Sequence, residues 1–280
     1  MIFFHERAEF FSTQTVKKLK IPEAVKIDAP LPPISAQGLY IVDLETFTPI
    51  AKKNADELFY PASTTKVLTA ITTRQLYKDN QIFKIKSPKQ IGQIMGLKEG
   101  EEISVENLLY GIIVQSGNDA AYALSESYPQ DKFMQKMNQI ARQLGMSKSY
   151  FSNPAGLDEP NQKTTPFELA LASRELLKDD VLRKMVSIKQ ITVSDKNFTT
   201  FHELYNVNAL LGNIPGLAGL KTGYTELAQE NLISLYNFQQ REYLIVLLKS
   251  EDRFEDTRTL IAWLRENVKI ESPPVEHIVY

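Results

Sequence analysis

The chain has 280 residues, of which 43% are hydrophobic and 24% charged, and its formal net charge is −2. This composition is typical of a globular protein with a full core and excludes a disordered or low-complexity chain. The near-neutral charge favours neither nucleic acid nor a charged membrane surface as a partner. The absence of cysteine excludes disulfides, thiolate metal sites and cysteine nucleophiles.

The start of the chain predicts an arm without a core of its own. Residues 1–35 mix charges with two phenylalanines and then run into Pro30, Pro32 and Pro33, which favour an extended linker. No apolar run reaches the roughly 20 residues that span a membrane, and the first residues do not form a signal peptide. We therefore expect either a cytoplasmic protein or one whose leader or anchor has been removed.

Strand patterns at both ends of the chain enclose a mainly helical middle. Residues 38–51 predict a hairpin and residues 63–77 a buried helix. Helical spacing follows in residues 105–110, 119–126, 132–144 and 166–178, with a turn at 153–156. Strands are predicted at residues 219–225, 231–236 and 242–249, and an amphipathic helix at 253–267. One sheet built from both ends of the chain is therefore expected.

This order of elements predicts one catalytic domain between two short terminal segments. The expected parts are an arm at 1–35, a domain at 36–268 with a sheet lobe (about 36–78 and 212–268) and a helical region (about 79–211), and a tail at 269–280.

Several familiar catalytic sites are excluded by the sequence. His202 and Glu203 begin like a zinc-protease helix, but Asn206 occupies the position of the second histidine ligand. No nucleophile elbow, P-loop or dinucleotide-binding glycine motif occurs. The other histidines, His5 and His277, lie near the termini, so we expect His202 to be a solvated or capping residue. The sequence predicts neither a metal site nor a cofactor.

Three short motifs match the pattern of serine enzymes that react with β-lactams. They are Ser-Thr-Thr-Lys at 63–66, Ser-Gly-Asn at 116–118 and Lys-Thr-Gly at 221–223. Roughly one Ser-x-x-Lys arises by chance in such a composition, so this motif alone could be a helix cap and an exposed lysine. The other two alone could be a loop and a strand-end turn. All three in this order are expected by chance only about a few times per thousand chains.

The spacing of Ser63 and Lys66 suits a nucleophile and its base. Three residues apart on a helix, their side chains share one face. A serine hydroxyl needs a base, and a lysine acts as one near neutral pH only when its pKa is lowered, by burial or by a second cation. Lys221 is the candidate for that second cation.

The other two motifs supply polar groups for a substrate. The Ser116 hydroxyl can relay a proton to a leaving amine, and the Asn118 amide can hold Lys66 and a substrate carbonyl. A strand through Lys221 and Thr222 can pair with an extended peptide and bind its carboxylate.

The two residues after Thr222 complete the predicted site. Gly223 allows the substrate backbone to approach closely. The backbone N–H groups of Ser63 and Tyr224 would form an oxyanion hole.

The chain resembles the serine-type D-alanyl-D-alanine carboxypeptidases, which are low-molecular-mass penicillin-binding proteins. The similarity covers about residues 36–268. The segments that carry it are 61–66, 116–121, 144–146 with 153–157, and 219–225. This resemblance implies an α+β fold with a five-stranded antiparallel sheet flanked by helices, a mainly helical inserted region, and a site between them.

The resemblance also implies an activity and a place of action. Ser63 would attack the terminal D-Ala-D-Ala bond of a peptidoglycan stem peptide and release D-Ala, and water would then hydrolyse the acyl-enzyme. A β-lactam would mimic the substrate and trap Ser63. The implied location is extracytoplasmic, in the cell envelope or secreted. Lys249 or Arg253 would take the place of an arginine that helps to bind the terminal carboxylate.

The sequence departs from the family pattern in three places. Ala-Gln at 228–229 replaces a usual Ala-Gly, the segment 162–165 lacks a usual histidine, and the first hairpin lacks a glycine near 46–48.

A serine β-lactamase is one alternative function. It would need a deacylating glutamate, for which Glu168 is the local candidate, although this residue fits the first turn of a helix better. A non-catalytic scaffold protein with the same fold is the alternative from another class.

Overall fold

The computed structural model describes residues 24–26, 29–129 and 132–271. Most of the predicted arm, including His5, lies outside the described residues, as do His277 and most of the predicted tail. No helix of the described chain is long and apolar enough to cross a membrane.

The strands of the described residues form one large sheet and three two-stranded ladders. In chain order they are β1 Ala24–Lys26, β2 Gly38–Asp43, β3 Pro49–Lys53, β4 Ile82–Lys84, β5 Glu102–Ser104, β6 Gln190–Ser194, β7 Phe201–Tyr205, β8 Leu217–Thr225, β9 Gln229–Phe238, β10 Arg241–Ser250 and β11 Lys269–Glu271. The large sheet has the order β3-β2-β10-β9-β8 with antiparallel pairing throughout. The expected α+β fold with a five-stranded antiparallel sheet is confirmed. Strand β8 forms one edge of this sheet in the described chain.

Seven helices and one 3₁₀ turn accompany the strands in the described residues. They are the 3₁₀ turn Ala62–Thr65, α1 Lys66–Leu76, α2 Val105–Ile113, α3 Asn118–Glu126, α4 Lys132–Gln143, α5 Pro166–Leu176, α6 Asp180–Met185 and α7 Arg253–Asn267. The side chains of Ser104, Thr165 and Asp252 cap α2, α5 and α7 by accepting N–H bonds from the first turn. The predicted helices in 105–178 are present. The predicted helical region, about 79–211, also holds the ladders β4–β5 and β6–β7, whose strands are too short to stand out in the sequence.

The sheet is buried on both faces. Alternate residues of β2 point to opposite sides, so Leu39 and Ile41 pack with α7, whereas Tyr40 and Val42 pack with the inserted helices. Strand β10 behaves in the same way, and residues 243–248 are all buried. A strand covered on both faces needs apolar residues at every position, which explains its continuous apolar sequence.

Both places where the sequence lacks a glycine of the family pattern hold a residue with a left-handed backbone. Phe47, in the turn of the first hairpin, has a φ of 57°, and Gln229, at the start of β9, has a φ of 54°. A side chain in this region costs on the order of 1–2 kcal/mol relative to glycine. Both turns therefore form against the local backbone preference of these side chains.

The described end of the predicted arm packs on α7. The Trp263 indole N–H donates to the Pro30 carbonyl at 2.9 Å, and the Ser35 hydroxyl donates to Asp256 at 2.8 Å. Strand β1 pairs with β11 beyond the helix. The division into arm, domain and tail stays a prediction.

Candidate active site

Ser63 and Lys66 lie together where the 3₁₀ turn meets α1. The Lys66 Nζ is 2.9 Å from the Ser63 Oγ. Lys66 is completely buried, whereas Ser63 is half-buried and therefore accessible from the cleft. The three-residue separation has placed both polar atoms on one side of the turn.

Two further partners fix the orientation of the Lys66 amine. The Lys66 Nζ lies 2.7 Å from the Asn118 Oδ1 and 2.7 Å from the Ala155 carbonyl oxygen. An amide oxygen and a backbone carbonyl only accept hydrogen bonds, so both N–H groups of a neutral amine are used by them. The remaining lone pair then faces the Ser63 hydroxyl. This is the orientation that a general base requires.

The electrostatic environment favours the neutral form of Lys66. Burial, reinforced by the neighbouring charge of Lys221, holds the pKa of Lys66 well below its usual value, while Asp119 opposes this effect. The sequence analysis named burial and a second cation as causes of a lowered lysine pKa. Burial is the larger of the two at Lys66.

Lys221 joins the second and third motifs. Its Nζ donates to the Ser116 Oγ at 2.8 Å and to the Thr222 carbonyl at 3.0 Å. Burial and the nearby Arg253 lower the pKa of Lys221 to about 7. The Arg253 guanidinium itself donates to the Gly223 carbonyl at 2.8 Å and so lies against β8.

Asn118 is held by the loop that precedes α2. Its backbone N–H donates to the Gln93 carbonyl at 2.7 Å and its Nδ2 to the Ile91 carbonyl at 2.8 Å. The next residue, Asp119, is fully buried and accepts backbone N–H bonds from residues 95, 96 and 97. The amide of Asn118 can therefore present only its oxygen to Lys66.

The Ala155 carbonyl was not found by the sequence argument, which identified only a turn there. The turn is built by two buried amides. Asn153 Oδ1 accepts from the N–H groups of residues 155, 156 and 157, and Gln162 Oε1 accepts from those of residues 152 and 153. Backbone carbonyls have no sequence signature, but an Asn-Pro-x-Gly turn is a usable signal of such a fixed loop.

The edge strand β8 lies directly against the 3₁₀ turn. A Cβ at Gly223 would come within 3.0 Å of the Ala62 Cβ and the Ser63 nitrogen, so glycine allows this contact. Thr222 is buried beside it, and the Tyr224 side chain is 63% exposed at the rim. The structure thus gathers Ser63, Lys66, Ser116, Asn118 and Lys221 in one cleft, with residues 222–224 along its edge.

Glu168 does not reach this cleft. Its two carboxylate oxygens accept from the Lys148 N–H at 2.8 Å and the Ser149 hydroxyl at 2.5 Å, and the side chain is buried. In the described chain, the groups that bond Lys66 besides Ser63 are the Asn118 amide and the Ala155 carbonyl, not a carboxylate. Glu168 is therefore a residue of the first turn of α5 and is not placed to act as the deacylating glutamate of a β-lactamase.

His202 is not the solvated or capping residue that was expected. It is 5% exposed, with Nε2 2.7 Å from Glu101 Oε1 and Nδ1 3.2 Å from the Met95 carbonyl. Glu101 outweighs the effect of burial and raises the pKa of His202. The sequence missed this pair because 101 residues separate its members. No cluster of three or more metal-ligating side chains occurs within the described residues.

Comparison with known proteins identifies the family of this chain. The model of the D-alanyl-D-alanine carboxypeptidase family matches residues 24–251. The chain belongs to this family. The D-alanyl-D-alanine carboxypeptidases DacF of Bacillus subtilis and DacC of Escherichia coli are each 31% identical to it, over 68% and 83% of this chain respectively. The alignments cover 51% of DacF and 62% of DacC, so the chain spans little more than half of these family members.

The fold of the family is shared as well. The crystal structure of a D-alanyl-D-alanine carboxypeptidase from Mycobacterium tuberculosis superposes with a TM-score of 0.80 and 25% identity, covering 90% of this chain and 100% of that one. The α+β architecture is therefore that of the D-alanyl-D-alanine carboxypeptidases.

Proposed function

We propose that this protein is a serine D,D-carboxypeptidase that removes the terminal D-Ala from peptidoglycan stem peptides. The observation that carries the proposal is the position of the Lys66 Nζ, 2.9 Å from the Ser63 Oγ and 2.7 Å from each of two carbonyl oxygens, which in the neutral amine leaves the lone pair facing Ser63. Family membership supports the same reaction.

Acylation begins with attack of the Ser63 Oγ on the carbonyl carbon of the penultimate D-Ala. Lys66 takes the hydroxyl proton as the new C–O bond forms. The N–H groups of Ser63 and Tyr224 stabilise the oxyanion. The C–N bond then breaks, and the leaving amine receives the proton of Lys66 through the Ser116 hydroxyl.

Deacylation reverses these roles with water as the nucleophile. Lys66 takes a proton from water, the acyl C–O bond to Ser63 breaks, and the proton returns to the Ser63 Oγ. This releases the shortened peptide as a free acid. With a β-lactam the leaving amine stays tethered to the acyl group, so the acyl-enzyme persists.

The substrate binds as an added strand on the free edge of β8. In an antiparallel arrangement its C-terminal carboxylate lies near Lys221, Thr222 and Arg253, and its upstream part runs toward Thr225. Of the two candidates for the family arginine, Arg253 is favoured because its guanidinium contacts β8. Stem peptides lie outside the cytoplasmic membrane, so we place the protein in the cell envelope or among secreted proteins. No cofactor is required.

Intact-protein mass spectrometry tests the proposal. After brief exposure to benzylpenicillin, the native protein is expected to gain the mass of one drug molecule and the Ser63→Ala variant none. The native protein is also expected to release D-Ala from an acylated Lys-D-Ala-D-Ala peptide. Drug consumption without an adduct would favour a β-lactamase, and neither reaction would favour a non-catalytic scaffold.

The pKa of Lys221 predicts the alkaline limit of activity. The ammonium form binds the substrate carboxylate, so kcat/KM should fall as the pH rises through about 7. Replacing Arg253 by methionine removes a cation that disfavours this ammonium, which raises the pKa of Lys221. We expect the alkaline limb of the pH profile to move to higher pH, although kcat/KM itself falls.

The matched control for this shift is Arg258→Met. Arg258 lies on the same helix, is 52% exposed and pairs with Glu255. Its replacement should leave the limb where it is. If the alkaline limb of the kcat/KM profile does not move in Arg253→Met, a group other than Lys221 sets the alkaline limit.

A further inference from the structure

A polar groove lies beside the catalytic centre and has no part in the steps above. Its volume is about 380 Å³, and its walls include Tyr60, Leu227, Lys163 and Lys249. The groove brings two ammonium groups close to the segment that carries the nucleophile.

The chain segments that frame the catalytic centre continue into the walls of this groove. Tyr60 precedes Ser63 by three residues, and the loop that supplies the Ala155 carbonyl continues to Lys163. Strand β8 ends at Thr225, just before Leu227. The groove therefore lies next to the segments that frame the catalytic centre, beyond the end of β8.

Asp158 connects the loop that leads to Lys163 with the chain at the end of β8. Its carboxylate accepts from the Thr225 hydroxyl at 2.7 Å and from the Leu227 N–H at 3.2 Å. Since a substrate strand antiparallel to β8 has its upstream end near Thr225, the groove lies where that part of the peptide leaves the cleft.

The charge of the groove suits an anion. The Lys163 Nζ lies over the Tyr60 ring, 2.8 Å from its centroid. Within the described residues, neither Lys163 nor Lys249 belongs to an ion pair, because the lysines that form such pairs are 89, 148, 178 and 196. Glu57 supplies the carboxylate in the lining and is exposed. The lining residues thus carry a net charge of +1, and the Asp158 carboxylate beside them is engaged by the Thr225 hydroxyl and the Leu227 N–H.

The backbone directs Lys249 into this position. Its φ is 55°, in the left-handed region, and the pairing of β9 with β10 shifts register between Leu247 and Ser250. Such bulges re-aim a side chain, and a non-glycine residue in this conformation stores strain that often accompanies function.

One asparagine links this strained residue to the nucleophile segment. Asn231 accepts from the Lys249 N–H at 2.8 Å and donates to the carbonyls of Tyr60 and Pro61, each at 2.9 Å. The position of Lys249 is therefore fixed relative to Ser63.

We infer that this groove binds a carboxylate on the substrate, upstream of the scissile bond, through Lys163 and Lys249. The inference rests on the proposed function and adds a substrate class to it: stem peptides with a free acidic group rather than its amide. An extended peptide advances about 3.3 Å per residue, so a group two residues before the D-Ala-D-Ala unit reaches the end of β8. Binding energy from such a remote group increases turnover of the reacting end.

Two peptides that end in D-Ala-D-Ala test the inference. They are identical except for a free carboxylate or a carboxamide two residues before that unit. The native protein is expected to prefer the acid about fivefold in kcat/KM, which is typical of exposed charge pairs. Lys163→Gln and Lys249→Gln should each reduce this ratio to about twofold, and the double variant to about one. Glu57→Gln should increase it, because a competing carboxylate is lost.

Two controls separate the groove from the catalytic centre. Lys178→Gln changes an exposed lysine that pairs with Glu175, and it should leave the ratio unchanged. Benzylpenicillin has no upstream peptide, so its acylation rate should be the same in all these variants.

The outcomes distinguish this inference from the proposed function. Equal turnover of both peptides by the native protein, or a ratio that the lysine variants do not change, would overturn the inference while the carboxypeptidase activity stands. Slower acylation by benzylpenicillin in a lysine variant would also overturn it, since the side chain would then act at the centre itself. Failure to release D-Ala from either peptide, with no penicillin adduct, would contradict the proposed function instead.

Discussion

The Lys66→Met variant is expected to acylate with benzylpenicillin about 10²- to 10⁴-fold more slowly than the native protein. Methionine is unbranched and apolar, so it fills the buried position of the lysine stem. The variant keeps Ser63 but removes the group that takes its proton, and general-base catalysis is worth factors of this order. Rapid-quench mass spectrometry of the acyl-enzyme measures the rate directly.

The same variant separates catalysis from stability. It leaves the Asn118 and Ala155 oxygens without their donor, which costs about 1–3 kcal/mol for each buried group. It also removes a buried amine that has to be kept neutral, so a folded variant is expected in thermal unfolding. Lys178→Met, at an exposed position, is the control and should acylate normally.

A Lys66→Ala variant leaves space at this buried position, so its partial rescue by added small primary amines would support the assignment of the base. An acylation rate of Lys66→Met within tenfold of the native value across the pH range would contradict it, and Lys221 with Ser116 would then be the candidate base. These two residues already share a 2.8 Å hydrogen bond.

The parts of the site that the sequence could predict are those whose chemistry is tied to a local element. Ser63 and Lys66 share a helical turn, and residues 221–224 form a strand with a strong β pattern, so their placement followed from spacing. The sheet was predictable for the same reason, because its strands have continuous apolar runs or turn residues between them.

The groups that could not be predicted are backbone atoms and long-range pairs. The Ala155 carbonyl is identical in chemistry to every other carbonyl, and only the bonds of Asn153 and Gln162 make it a fixed acceptor. His202 and Glu101 pair across 101 residues, and the short ladder β6–β7 brings the histidine to the glutamate. The sequence pattern predicts the turn at 153–156 but not which carbonyl it presents, and it holds no information on the pairing of His202 with Glu101.

The Gly156→Ala variant tests the loop that holds this carbonyl. A Cβ at position 156 would lie 1.8 Å from the Ala62 oxygen and 2.3 Å from the Ala62 carbonyl carbon. Both contacts are to backbone, so either this loop or the nucleophile segment must move. We expect a loss of at least about 3 kcal/mol in the free energy of unfolding, which is in the range of overpacking and backbone strain combined. Acylation should slow by about 100-fold or more, since misplacement by about 1 Å has this effect.

Gly145→Ala is the matched control, because it isolates the clash from the backbone preference. Gly145 has a φ of 87° against 90° for Gly156, but its nearest neighbour, the Leu171 Cδ1, would be 3.7 Å from the added carbon. The free energy of unfolding of this control should fall by only about 1–2 kcal/mol, and the control should acylate normally. Chemical denaturation measures the free energy of unfolding of both variants. If it falls equally in both, the left-handed backbone alone requires glycine at 156. A larger loss in Gly156→Ala, with slow acylation, would instead show that glycine is present so that the loop carrying the Ala155 carbonyl can lie against the backbone of the nucleophile.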